Sequence, residues 1–181
     1  MNKILYILGI IFILTSCASV ARLFKVDNSK VGVKYKRVKG TIFNDEYDFS
    51  NFFVIDVDST KRWTPKKVDI ENAESILRRQ LSNINKDKVN QFGGYPIIHR
   101  NLNSYFRQYV GILNEKGQKI IHINFYWNKY SLIDKIKGYH NSRINFKSNY
   151  AIVFDGGSYY WQINVNLEEQ KLSDLQINGV A

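Results

Sequence analysis

The sequence predicts an α+β fold, with one amphipathic helix packed on a mostly antiparallel β-sheet as a two-layer sandwich. Three observations point there. Ile70, Ala73, Leu77, Leu81 and Ile84 recur at helical spacing. Beyond Tyr105, several segments alternate apolar and polar residues with a period of two. Between those segments stand turn-forming clusters, Asn114-Glu115-Lys116-Gly117 and Asp155-Gly156-Gly157-Ser158. A sheet with one apolar face needs a helix over that face, while its polar face meets water.

The elements follow in chain order. Val31, Val33 and Tyr35 alternate with small or charged residues, which suits a first strand. Phe53, Ile55 and Val57 alternate with Val54, Asp56 and Asp58, so a half-buried strand is expected there. Trp63-Thr64-Pro65 then reads as a helix start, with Thr64 as the cap and Pro65 in the first helical position. The predicted helix runs from about Pro65 to Asn85, with Glu71, Glu74, Arg78 and Arg79 on its outward face. Gly93-Gly94-Tyr95-Pro96 marks a loop. Tyr105 to Leu113 and Lys119 to Trp127 form a hairpin in which Ile121, Ile123 and Phe125 share a face. Tyr150 to Phe154 and Tyr159 to Leu167 are expected to form a second hairpin, with Trp161, Ile163 and Val165 on one face. Leu172 to Ile177 closes the sheet. Strand, helix, then four strands is the element order of cystatin-like folds, an analogy of architecture alone.

The amino terminus carries an address. Lys3 precedes an apolar run, Ile4 to Leu14, which is too short to span a bilayer by itself. Leu14-Thr15-Ser16-Cys17-Ala18 follows, and this resembles a bacterial lipoprotein signal with its lipobox. The resemblance implies diacylglyceryl transfer to Cys17, cleavage before it, and acylation of the new amino terminus. Two or more acyl chains give a stable anchor where one gives marginal binding. Residues 1–16 are then a signal peptide, 17–30 the lipidated cysteine with its tether, and 31–181 a single domain. Ala18 is not the aspartate that retains some lipoproteins in the inner membrane, and no acidic cluster follows it. The resemblance therefore implies an outer-membrane anchor on the periplasmic face.

Composition narrows the rest. The chain has 181 residues, 44% hydrophobic and 14% aromatic, which excludes disorder and favours one domain. One cysteine excludes a disulfide scaffold and any multi-cysteine metal site. Once Cys17 is lipidated, no thiol remains for nucleophilic or redox chemistry. The formal net charge is +10, and +9 without Lys3. Such a balance suits anionic headgroups or acidic glycans. Nucleic acid is not expected as a partner of an envelope lipoprotein.

Catalytic patterns are scarce. His99, His122 and His140 stand too far apart for a helical zinc pair, and neither a phosphate-cradling loop nor a Gly-x-Ser-x-Gly elbow occurs. No metal or cofactor is expected. His122 is out of phase with Ile121 and Ile123, so it is expected on a solvated or partner-facing surface. Asp56 and Asp58 are the best carboxylate pair, about 7 Å apart on one strand face, and could divide acid and base roles in a hydrolase. An outward face solvated beside Lys61 and Arg62 is the plainer reading. The segment from Tyr126 to Tyr150 is rich in aromatic residues. Lys129, Lys135, Lys137, Arg143 and Lys147 against Asp134 give it a charge of +4. Aromatic and basic side chains together are interface material, so Trp127, Tyr130, Lys135, Lys137, Tyr139, His140 and Arg143 are the candidate partner-binding residues. The same aromatics could instead pack a satellite core, with Leu132, Ile133 and Ile136 as one helical turn.

A wider resemblance rests on five segments. They are Trp63-Thr64-Pro65, Arg107-Gln108-Tyr109-Val110-Gly111, Gly117-Gln118-Lys119-Ile120-Ile121, Asp155-Gly156-Gly157 and Leu175-Gln176-Ile177-Asn178-Gly179. Together they resemble small uncharacterised lipoproteins of Bacteroidetes, over roughly Trp63 to Gly179. The chain departs from that pattern in its basic stretch after Trp127, and the resemblance implies no catalytic residues. The expected function is a non-catalytic envelope lipoprotein that binds a protein or glycan partner. The alternatives are a hydrolase using Asp56 and Asp58, or an immunity or inhibitor lipoprotein that blocks a toxin or enzyme.

Overall fold

A computed structural model describes residues 20–49, 61–129, 136 and 148–180. The described residues form an α+β fold of one α-helix and one open, mostly antiparallel sheet of eight strands. β1 (Arg22–Lys25), β2 (Lys30–Tyr35) and β3 (Val38–Phe43) make an antiparallel meander. β1 falls within the stretch expected to be a tether. β4 (Arg62–Trp63) leads into α1 (Lys67–Ile84), and β5 (Tyr105–Leu113), β6 (Lys119–Trp127), β7 (Tyr160–Asn166) and β8 (Lys171–Ile177) follow. The sheet runs β1-β2-β3-β5-β6-β7-β8, with β4 beside the far end of β5. β3 and β5 pair in parallel, Lys39 opposite Phe106 through Phe43 opposite Val110. α1 lies in the connection between them, as a parallel pair requires.

Ile70, Ala73, Leu77 and Leu81 are covered as the spacing predicts, whereas Ile84, the fifth residue of the expected stripe, ends the helix 38% exposed. The covered residues meet Tyr109, Ile121, Ile123, Ile163 and Val165 from the strands in the main core. Phe125 and Trp161 stack there at 3.6 Å with nearly parallel planes. The helix start differs from expectation. Trp63 is still paired with Gly111, and the Thr64 hydroxyl donates to Asp45 Oδ1 at 2.5 Å. The chain therefore stays extended to Lys66, and helix begins at Lys67. Its first turn is closed by Asp69, whose carboxylate accepts from the Lys66 N–H at 2.7 Å.

The β5–β6 hairpin forms as expected, from Tyr105 opposite Trp127 to Leu113 opposite Lys119. Asn114 Oδ1 accepts from the N–H groups of Lys116 and Gln118, and Gly117 supplies the left-handed position at φ +73°. The second expected hairpin does not form. Residues 150–155 have no strand partner, and β7 pairs with β6 and β8 instead. The expected strand at Phe53 to Asp58 lies outside the described residues.

Candidate functional site

Alternation along β5 and β6 separates two faces. Tyr105, Arg107, Tyr109, Ile121, Ile123 and Phe125 face the helix, while Phe106, Gln108, Val110, His122, Asn124 and Tyr126 face outward. The helix-side face holds the largest departure from the sequence reading. Glu74, expected on the helix's exposed side, is fully buried, and so is Arg107. Arg107 Nε donates to Glu74 Oε1 at 2.6 Å, and the Tyr109 hydroxyl donates to the same oxygen at 2.9 Å. The rest of the guanidinium donates to the carbonyls of Tyr105 and Leu102, at 2.7 and 3.0 Å. Its face stands 5.2 Å from the centre of the Phe125 ring. Burial, with the Glu74 charge beside it, pushes the Tyr109 phenol well above its usual range. Glu74 is occupied on both oxygens by partners that hold helix to sheet, so its chemistry is structural.

The outward face is not open to water as expected. Phe43, Phe49, Val110 and Tyr150 form a second apolar cluster on it, with Tyr47, Ile112 and Ile152 at its margin. Arg62 pins the near side: its guanidinium donates to the carbonyls of Tyr47, at 2.7 Å, and of Asn44, and lies 4.3 Å from the centre of the Phe49 ring. Burial lowers the Arg62 pKa. Residues 149–151 cross this face as a strap. The Gln108 amide donates to the Asn149 carbonyl at 2.7 Å, and the Asn124 amide donates to the Ala151 carbonyl at 2.9 Å. The Tyr126 hydroxyl also donates to that carbonyl. Burial raises the phenol pKa of Tyr126 and of Tyr150.

His122 lies between these groups. Its Nδ1 is 2.8 Å from Asn164 Oδ1, and the Asn164 amide donates to Asp174 Oδ2 at 2.9 Å. The Ser173 hydroxyl donates to the same carboxylate oxygen. This chain is not a catalytic triad, because an amide between histidine and carboxylate relays no proton and the serine does not touch the imidazole. His122 Nε2 is enclosed without a hydrogen-bond partner. Burial is the main cause of its lowered pKa. The expected solvated histidine is thus half-buried, with one ring nitrogen enclosed. His99 is also held below its usual value, chiefly by burial and then by Arg100 and Lys88. Its Nδ1 lies 2.9 Å from the amide nitrogen of Asn85, in a cluster with Gln91 that closes the helix end.

Beyond the strap the outward face sinks into a cleft of about 230 Å³. Tyr126, Tyr160, Phe154, Asn124, Gln162 and Gln176 contribute to its walls. The amide of Gln162 donates to Gln176 Oε1 at 2.5 Å, and Asn178 fixes the rim by donating to the carbonyls of Val153 and Asp155. Phe154 stands 77% exposed at the cleft. The rings of Phe154 and Tyr160 and the side-chain amides, with no ionised group among them, suit a neutral polar ligand.

Among the candidate residues read from the sequence, Trp127 is described. Its half-buried ring packs edge-on against Tyr105 at 5.2 Å and Tyr159 at 5.5 Å. Cys17, Asp56, Asp58, Tyr130, Lys135, Lys137, Tyr139, His140 and Arg143 lie outside the described residues, as do Leu132 and Ile133. Ile136 is helical and 86% exposed. No group of three or more metal-ligating side chains occurs among the described residues, and no helix among them is long and apolar enough to cross a membrane. The cleft residues escaped the sequence reading because amides and tyrosines on a polar strand face look like any solvated surface. Compared with family models, curated proteins and solved structures, the chain matches none.

Proposed function

We propose that this chain is a lipid-anchored envelope protein that acts as a non-catalytic binding module, with a neutral glycan as the ligand of its outward cleft. The single observation behind this reading is the chemistry of that cleft: Tyr126, Tyr160 and Phe154 beside Asn124, Gln162 and Gln176. Sugars are bound by aromatic faces against their C–H surfaces and by planar amides against their hydroxyls, and neither needs an ionised group. Cys17 supplies the anchor, through its resemblance to a lipobox, and the outer membrane's periplasmic face is the proposed location. The family proposed is that of the small Bacteroidetes lipoproteins, and the finer architecture proposed is a two-layer, cystatin-like sandwich.

The test is a nuclear magnetic resonance titration of the full chain in detergent with neutral oligosaccharides and with soluble peptidoglycan fragments. Shifts centred on Tyr160, Gln162 and Gln176, reduced at least tenfold in affinity by Tyr160→Ala, are expected. Binding that leaves those residues unmoved, or no binding of either glycan class, removes the cleft from the account.

A further inference from the structure

We propose that the outward face of the β1–β2–β3 meander is a contact surface for anionic phospholipid headgroups. Arg22, Lys34 and Lys39 form its charged row and Phe24 its apolar insert. The strand register carries the argument. Arg22 lies opposite Lys34, and Lys34 lies opposite Lys39. Directly opposed residues share a face, with Cβ atoms about 4.5–5.5 Å apart, and like charges so placed repel. Three cations thus stand side by side across three strands, all of them exposed. Residues 22–43 hold seven cations and one carboxylate, Asp27, which is already paired with Lys30 at 2.8 Å. Glu71 of α1 accepts from the Ala21 N–H, at 2.6 Å, from the helix side. A row of this kind is costly for the isolated fold and is relieved by an external anion.

Apolar groups beside the row select the kind of anion. The Phe24 ring covers Gly32, where an added Cβ would fall 2.3 Å from the ring. Lys34 Nζ sits 5.6 Å from the centre of that ring. Phe24, Val26 and Phe106 border a groove of about 360 Å³ flanked by Lys34 and Lys39. Phe24 is 42% exposed and Val26 45%. Basic side chains around exposed apolar ones are the composition of a membrane-surface contact, since each cation gains from the surface potential while the apolar groups enter the headgroup boundary. Chain length favours the same occupant. Arg22 follows Cys17 by five residues, a reach of at most about 18 Å at 3.6 Å per residue. An anchor at Cys17 therefore keeps this face within reach of the bilayer, and to that extent the inference rests on the lipid-anchor reading.

The experiment uses the full chain reconstituted into vesicles of phosphatidylcholine alone, or of phosphatidylcholine with phosphatidylglycerol. Lysines are acylated from outside and located by mass spectrometry, with exposed Lys116 in the β5–β6 turn as the internal reference. Lys34 and Lys39 are expected to be protected severalfold in the anionic vesicles only, and to lose protection at 1 M salt, where screening acts within about 3 Å. Phe24→Ser should weaken the protection, and Arg22→Glu should weaken it further. Equal labelling in both vesicles overturns the proposal. Protection that needs added polyglutamate, and not anionic lipid, overturns it in favour of an acidic polypeptide partner. The intact mass of the same sample reports acylation of Cys17. Protection with an unmodified Cys17 upholds the surface and sinks the anchor, while a lipidated Cys17 without protection does the reverse.

Discussion

Arg107 is a buried cation whose charge is met by one carboxylate, Glu74, and whose remaining donors reach two carbonyls. Removing Glu74 leaves Arg107 charged in an apolar interior, and removing Arg107 leaves Glu74 only the longer 3.7 Å pair with Arg78. Breaking such a buried pair typically costs about 3–5 kcal/mol, whereas removing both leaves no orphan buried charge. Arg107→Met is therefore expected to lower stability by roughly that amount in urea denaturation. Glu74→Leu added to it should cost less than the sum of the two single changes, the sign of a direct coupling. His122 gives a second prediction at this scale. Its pKa is lowered in the fold, so below the unfolded value of about 6.5 the unfolded chain binds the proton more readily. Stability should hold above that pH and fall as pH drops from 6.5 toward the folded value. His99, lowered likewise, adds to the slope. Urea midpoints at pH 7 and pH 5 should differ less in His122→Gln than in the parent, and an identical difference would show that His122 remains accessible to protons in the fold.

Among the elements, the parallel contact of β3 with β5 decides how the meander joins the rest. Gly40 lies opposite Arg107, and a Cβ there would stand 2.6 Å from the Tyr109 ring and 2.8 Å from the Arg107 carbonyl oxygen. The carbonyl belongs to backbone held in the sheet and has nowhere to go. Gly40→Ala is therefore expected to cost about 1–3 kcal/mol, as overpacked cores do. Its amide exchange should rise first in β1–β3, and unchanged protection there would show that the meander tolerates the shift. The helix and the β5–β6 hairpin were legible in the sequence because their signals are local: a stripe at 3.6-residue spacing and a turn with glycine in its left-handed position. The segment 150–154 was misread as a strand for the same reason. It is a short run of aromatic and β-branched residues like one, but the backbone of Ala151 bonds to the Gln108 and Asn124 side chains rather than to a neighbouring strand.

For the whole molecule, the basic balance is unevenly spread, with seven cations between Arg22 and Lys39. The proposed anchor stands at the start of that same region. Cys17→Ala is expected to abolish incorporation of a fatty-acid analogue and to leave an uncleaved precursor, read by metabolic labelling and intact mass. A mature amino terminus anywhere other than Cys17 would remove the lipoprotein reading. Membrane fractionation alone would not separate the cases, because the apolar run from Ile4 to Leu14 can itself retain an uncleaved chain in the membrane.

The sequence by itself determined the α+β class, the helix stripe and the β5–β6 hairpin, since each follows from residue spacing and turn chemistry within one short segment. Tertiary structure alone decided the rest. Glu74 stands four residues after Ile70 and three before Leu77, on the apolar stripe, whereas Glu71 stands at its edge; the charge argues for water and the helical phase for the core. Arg107, 33 residues away, draws Glu74 into the core. His122 read as solvent-facing from its phase, yet the strap and the second apolar cluster lie on the face it occupies. The Arg22–Lys34–Lys39 row is invisible along the chain, because it exists only once three strands take their register. Cross-strand placement, and the partner a buried charge meets, depend on which distant segments come together, and periodicity within a segment carries no information about that.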